Sequence, residues 1–158
     1  MKRPWNRTDA PVYSVSSTHD GRENMHICTY VTAVSMQPKR LMVALYKGTL
    51  TLELVQQEGR FILQLLESSQ HRLVDLLGRR SGRSTDKTAI LGRRGRLTRW
   101  KGCAVIADAL AWMELVVVGT MDAGDHVMVL CDLASYRNVR EGEPLTLDIL
   151  RSKGLVRN

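Results

Sequence analysis

With 158 residues, 44% of them apolar, the chain is long enough to build one domain around a sizeable core. No apolar run reaches the roughly 18 residues of a transmembrane helix, and no apolar segment follows the basic start, so we expect a cytoplasmic protein without a leader or membrane partner. The formal charge of +7 is concentrated, because Gly78 to Lys101 holds nine bases against the single acid Asp86; such a run expects an anionic partner or a solvated basic loop. Cys28, Cys103 and Cys131 lie far apart, with no CxxC pair and no histidine at ligand spacing. They read as reduced, buried thiols and not as a disulfide or metal site.

In chain order, Pro11 to Thr18 alternates and is rich in β-branched residues, which predicts a strand. Asp20-Gly21 is a tight-turn signal. Asn24 to Pro38 then reads as one long, uncharged strand. Its Met25 to Ala33 face is small and apolar, suited to filling a barrel. Its other face, Asn24, His26, Cys28 and Tyr30, is polar but neutral. Arg40 to Tyr46 is a further strand. From Thr49 the period becomes helical, with Thr49 or Thr51 as cap and Gly59 as stop. Arg60 to Leu66 returns to strand, and Ser68 to Gly78 reads as a short Ser-capped helix. The basic stretch that follows reads as an extended loop. Cys103 to Met121 is mostly strand, interrupted near Asp108, and Asp122 to Asp125 turns it into His126 to Tyr136. About six strands and two short helices predict a mainly β fold, an antiparallel barrel with helical additions.

There is no GxSxG, HExxH, GxGxxG or GKS/T motif, so any catalysis would rest on a cofactor. Three stretches could bind one. Lys47-Gly48 leads into a helix start beside Thr49 and Thr51, where free N–H groups, a cation and hydroxyls suit a phosphate; the alternative is a threonine cap after an ordinary turn. His126 follows a tight turn at the mouth of a strand, and could equally be a structural hydrogen-bonder. Ser81 to Lys87 combines hydroxyls, glycine and cations, and could equally be a mobile basic loop.

Taken together, Asn24 to Leu66, Leu76 to Lys87 and Val118 to Leu133 resemble the flavin reductase-like, FMN-binding split-barrel family, which includes flavoredoxin. The resemblance runs from about Tyr13 to Gly154. It implies a homodimer of Greek-key split barrels with FMN, or alternatively FAD, held at the subunit interface, and NAD(P)H as co-substrate. By the same resemblance, Asn24 and Tyr30 face the flavin, and main-chain N–H groups of Cys28, Thr29, Tyr30 and Val31 reach the ring's polar edge. Thr51 at the helix start holds the phosphate, helped by Lys47 or Thr49. Lys87 matches a loop lysine, and His126, in the family's GDH turn, is the candidate catalytic residue. Tyr30 stands where the family often has Trp, and the final Gly154 to Asn158 offers no aromatic for the flavin. The electron acceptor stays open among free flavin, a monooxygenase, a metal ion and a redox protein. The nearest alternative is a flavoredoxin-like electron carrier that does not use NAD(P)H directly. A nucleic-acid-binding module built on residues 78–101 belongs to another class; with only Trp100 in the basic stretch, stacking platforms are too few to favour it.

Overall fold

Alternation of apolar and polar residues drives the main sheet. The computed structural model describes residues 3–156. Strands β1 (Tyr13–His19), β2 (Arg22–Cys28), β3 (Val31–Ser35), β4 (Arg40–Tyr46), β5 (Arg60–Leu65), β8 (Ala111–Ala123) and β9 (His126–Asn138) form one sheet. Between β5 and β8 come β6 (Leu97–Trp100) and β7 (Cys103–Ile106), which pair separately. The order in the large sheet is β2-β1-β5-β8-β9-β4-β3, with every neighbour antiparallel. The sheet rolls into a split barrel whose margins, β2 and β3, do not pair.

In β4, Leu41, Val43 and Leu45 point inward and are buried. They meet Val15, Phe61, Leu63, Leu115, Val129 and Cys131 inside the barrel. Helix α1 (Leu50–Glu58) closes one side with Leu52 and Val55. Thr49 caps it by accepting from Leu52 N at 3.2 Å, and Gly59 ends it at φ 73°, a left-handed conformation that glycine adopts at little cost. The expected turn at Asp20-Gly21 forms with φ of 47° and 76°, the mirror-image turn that suits a twisted hairpin. A second core lies outside the barrel. Ile62, Leu66, Leu77, Leu91, Val105, Trp112 and Leu145 meet there, under β6–β7, α2 (Lys87–Arg93) and α3 (Leu147–Ser152). All three cysteines are free and buried. Among the described residues, no helix is long and apolar enough to cross a membrane.

Four expectations fail. The stretch from Asn24 is two strands, broken at Thr29–Tyr30, and the pieces stand at opposite margins of the sheet. Tyr30 O accepts from Ala44 N at 2.9 Å, which fastens the break to β4. Thr32, Ala33 and Val34 are consequently exposed on an edge and fill no barrel, while Met25 packs into the outer core. Ser68 to Gly78 is a 3-10 helix (Ser68–Leu73) followed by a π turn (Asp75–Arg79). Its cap is Glu67, in a reciprocal box with Gln70, because a carboxylate at that position accepts Ser69 N at 2.9 Å. The basic run is no extended loop, since it contains α2, capped by Asp86, and β6. Its cations meet acids far away in sequence: Arg83 with Glu53, Arg96 with Asp108, Arg99 with Glu23 and Lys101 with Glu114. Among the described residues the strand count, nine, exceeds the expected six because β6, β7 and the second piece of the long strand were not separable by pattern.

Candidate functional site

Two adjoining hollows of about 310 and 360 Å³ form a groove along the margin of the barrel. They share His26, Tyr46, Thr49 and Gly78, and each is within the size range of cofactor pockets. One end is built on the start of α1, whose first-turn N–H groups have no partner within the helix. Thr49 spends its hydroxyl there, donating to Tyr46 O at 2.8 Å while capping Leu52 N. Thr51 is fully buried and accepts from Asn24 Nδ2 at 2.8 Å, which leaves the Thr51 hydroxyl proton free to donate.

The segment from Arg79 to Asp86 forms the opposite wall. Arg83 fastens it to α1, with Nε donating to Gly48 O at 3.2 Å and a terminal nitrogen 2.9 Å from Glu53 Oε2. Arg22 takes the other Glu53 oxygen at 2.9 Å. Hydrogen bonds from Arg22 and then Arg83 hold the Glu53 carboxyl below its usual range, so its charge is compensated and does not oppose an anion at the helix start. Gly82 lies so close to Asn24 that a Cβ there would be 2.4 Å from Asn24 Oδ1; only glycine lets this wall close over the Asn24–Thr51 pair. Lys87, at the floor, is buried and donates to Leu77 O at 3.0 Å. Burial lowers its pKa to about 8. Lys47 pairs with Asp122 at the rim.

The other end is aromatic. The His126 ring meets Tyr30 and Tyr46 edge-on, at centroid distances of 5.2 and 5.1 Å. Its Nδ1 lies 2.6 Å from Asp125 Oδ1, which leaves Nε2 as the free ring nitrogen. Both tyrosines are exposed, at 63% and 53%. The chain at Cys28, Thr29 and Tyr30 lines this end, and the Val31 side chain packs on the barrel core.

The neutral wall expected of Asn24, His26, Cys28 and Tyr30 is only partly formed. The amide of Asn24 is spent on Thr51. The Cys28 sulfur turns into the barrel, 3.6 Å from Ala44 O, and burial pushes its thiol up to about 12. His26 is the member with an unspent atom: Nδ1 is shielded and has no partner among the described residues. Burial, then the charges of Lys87 and His126, bring the His26 pKa down to about 3, so the ring is neutral at ordinary pH. Sequence reading missed Tyr46. It named the Ser81 to Lys87 stretch that carries Gly82 and Arg83, but not that Arg83 pins the stretch to α1 or that Gly82 closes over Asn24. The arrangement suits a planar group with an anionic tail: a helix start and cations at one end, aromatic edges and main chain at the other. Flavin mononucleotide fits that donor set.

The flavin reductase like domain model matches residues 5–151. A probable flavin reductase of Rhizobium meliloti is 30% identical over 108 residues, which are 68% of this chain and 32% of that protein. The chain thus spans about a third of that relative's length. The NADH-dependent flavin reductase StyB of Pseudomonas fluorescens is 25% identical over 87% of this chain and 76% of its own. Among solved structures, the styrene monooxygenase flavin reductase of Pseudomonas putida S12 superposes with a TM-score of 0.73. It is 25% identical, over 88% of this chain and 86% of that one.

Proposed function

The chain belongs to the flavin reductase-like domain family, and from that premise we propose that it is an NAD(P)H-dependent flavin oxidoreductase with FMN in the groove beside α1. The observation that carries the reading is a groove joining the start of α1, a basic wall and the Tyr30–His126–Tyr46 cluster. Bound FMN supplies the hydride-accepting centre. The chain's own residues bind and orient it. The α1 start, Thr51, Lys87 and the rim pair Arg79 and Arg80 receive the phosphate, with Thr49 holding the helix start in place. Main-chain groups at Cys28 to Tyr30 face the ring's polar edge. Asp125 holds His126 so that Nε2 reaches the groove, where it donates or accepts a proton beside the ring. The exposed faces of Tyr30 and Tyr46 leave room for a nicotinamide.

We place the protein in the cytoplasm, where NAD(P)H is supplied and its buried thiols stay reduced. It acts as a homodimer. Val116, Val118, Met121 and Tyr136 are exposed at 37 to 66% along β8 and β9, an apolar area that a second copy would cover. A monooxygenase that consumes reduced flavin is the partner we favour, by analogy with the styrene monooxygenase reductase. Two measurements test the reading. Sedimentation gives the oligomeric state. Anaerobic mixing of the FMN-loaded protein with NADH or NADPH follows the visible flavin band. Rapid bleaching supports a reductase, bleaching only by an added redox protein supports an electron carrier, and failure to retain FMN rejects both.

A further inference from the structure

Three groups in the wall at the anion end of the groove are covered: Asn24 is 4%, Thr51 0% and Lys87 3% exposed. Each belongs to an anchored element. Asn24 lies within β2, opposite Ser17 and next to the buried Met25. Thr51 stands between the buried Leu50 and Leu52 of α1, and Lys87 opens α2, whose Leu91 is fully buried. Residues 79–86, the opposite wall, differ. None of them is buried, and residues 80–85 form neither strand nor helix. The hydrogen bonds there are mostly internal: Ser81 O accepts from Ser84 N at 3.3 Å and Thr85 N at 3.0 Å, and Ser81 Oγ accepts from Arg83 N at 3.2 Å. Gly82 rests directly against Asn24. Among the described residues, one side chain alone bonds this wall to α1 and the turn before it: Arg83, through Gly48 O and Glu53.

The Arg83 and Glu53 side chains are 50% and 31% exposed. An ion pair so open to water contributes little, and a segment without apolar burial has low local stability, so this wall opens at small cost. To uncover Thr51, Lys87 or Asn24 from their own side would mean pulling α1, α2 or β2 away from the cores that hold Leu52, Leu91 and Met25. Residues 79–86 are therefore the cover that moves first. We infer that they form a gate over the anion end of the groove, latched by Arg83 on Gly48 O and Glu53, and that a phosphate reaches Thr51 and Lys87 only when the latch lets go, an inference that rests on the phosphate end proposed above. The gate acts on entry and exit alike. It delays the approach of an anionic tail and, once closed again, delays its departure. Gly82 lets the gate shut flat on Asn24, and Arg83 alone decides how long it stays shut.

Two measurements test it, one of them without flavin. In a Thr51→Cys protein, alkylation by iodoacetamide, read by mass spectrometry of the α1 peptide, reports how often the gate opens; the three native thiols are buried. Glu53→Gln removes the ionic half of the latch and should speed that alkylation about threefold, the scale of one exposed ion pair. Arg22→Gln removes the other partner of Glu53, leaves Arg83 bonded and should keep the parent rate. In the otherwise native chain, stopped-flow mixing with FMN should give an observed rate that levels off as FMN rises, the plateau being the opening rate. Glu53→Gln should raise that plateau and the release rate together, again about threefold. A labelling response to Glu53→Gln with no FMN binding upholds the gate and rejects the flavin reading. Labelling indifferent to Glu53→Gln, or an entry rate linear in FMN with one slope for parent and variant, overturns the gate and leaves the flavin reading standing.

Discussion

The interior of the barrel and the groove on its margin adjoin, yet they are built under opposite rules. Inside, Val43, Leu45, Phe61, Leu63, Leu115 and Val129 are wholly buried and bring no side-chain polar atom with them. At the margin, Asn24, Thr51 and Lys87 are buried polar groups, and His26 keeps a nitrogen unspent. The first region gains stability from apolar burial at roughly 25 cal/mol per Å². The second gives some of that up to hold donors ready in fixed positions. Stability and recognition should therefore respond to different substitutions, and the outer layer, with its Gln64 and Gln70 bonds, should side with the barrel.

The sharpest break would come from Phe61→Ala. It empties a fully buried site and should cost about 3–5 kcal/mol in urea denaturation, with FMN affinity of the folded fraction unchanged. Gln64→Leu is next. Gln64 donates to Ser16 Oγ at 2.7 Å and accepts from Ile106 N at 2.6 Å, both buried. Its loss leaves two unmet groups and should cost about 2 kcal/mol or more, again without an FMN effect. Arg79→Ser with Arg80→Ser should reverse the pattern. Their contacts with Asp75, at 3.7 and 3.6 Å, and the bond that Arg79 donates to Leu155 O, at 2.9 Å, are exposed and worth little. Stability should stay within about 0.5 kcal/mol, while FMN dissociation, followed by flavin fluorescence, should rise about tenfold, which is about 1.4 kcal/mol. Thr49→Ala lies on the border and should move both, with about 1 kcal/mol of stability lost with the cap and a modest loss of FMN.

A different kind of break is a slope in acid. His26 is neutral when folded, with its pKa at about 3 and not the usual 6.5, so the unfolded chain takes up the proton first. Its contribution is complete above pH 6.5 and is lost as pH falls toward 3. Glu67, held down to about 2 by the hydroxyls of Ser69 and Ser68 and the amide of Ser69, adds a second loss between 4.5 and 2. Melting temperature against pH for the parent and for His26→Leu should separate the two windows. An identical slope above pH 4.5 would remove His26 from this account.

Local chemistry made much of this legible. Asp20-Gly21, the Gly124-Asp125 turn within the expected Asp122 to Asp125 stretch, and α1 between Thr49 and Gly59 are each specified by residues within a few positions. The family was legible as well, because several motifs recur in order. What escaped was set at a distance. Thr29 and Tyr30 are good strand formers, and only the bond from Ala44 reveals that the chain breaks there. The basic run looked like loop because its neutralising acids, Glu23, Glu53, Asp108 and Glu114, sit elsewhere in the chain. The polar face of β2 was recognised, but one alternating face does not reveal that Asn24 is already spent and that Cys28 turns inward.

The Thr29–Tyr30 link has a geometric consequence. Cys28 and Val31 belong to the two margins of the sheet, yet three peptide steps allow them to be no more than about 11 Å apart. The short tether itself thus keeps the rim curled, like a belt drawn to its last hole. Adding three or four glycines there would slacken the belt: the cleft beside α1 should gape, and cofactor retention should suffer well before the interior melts.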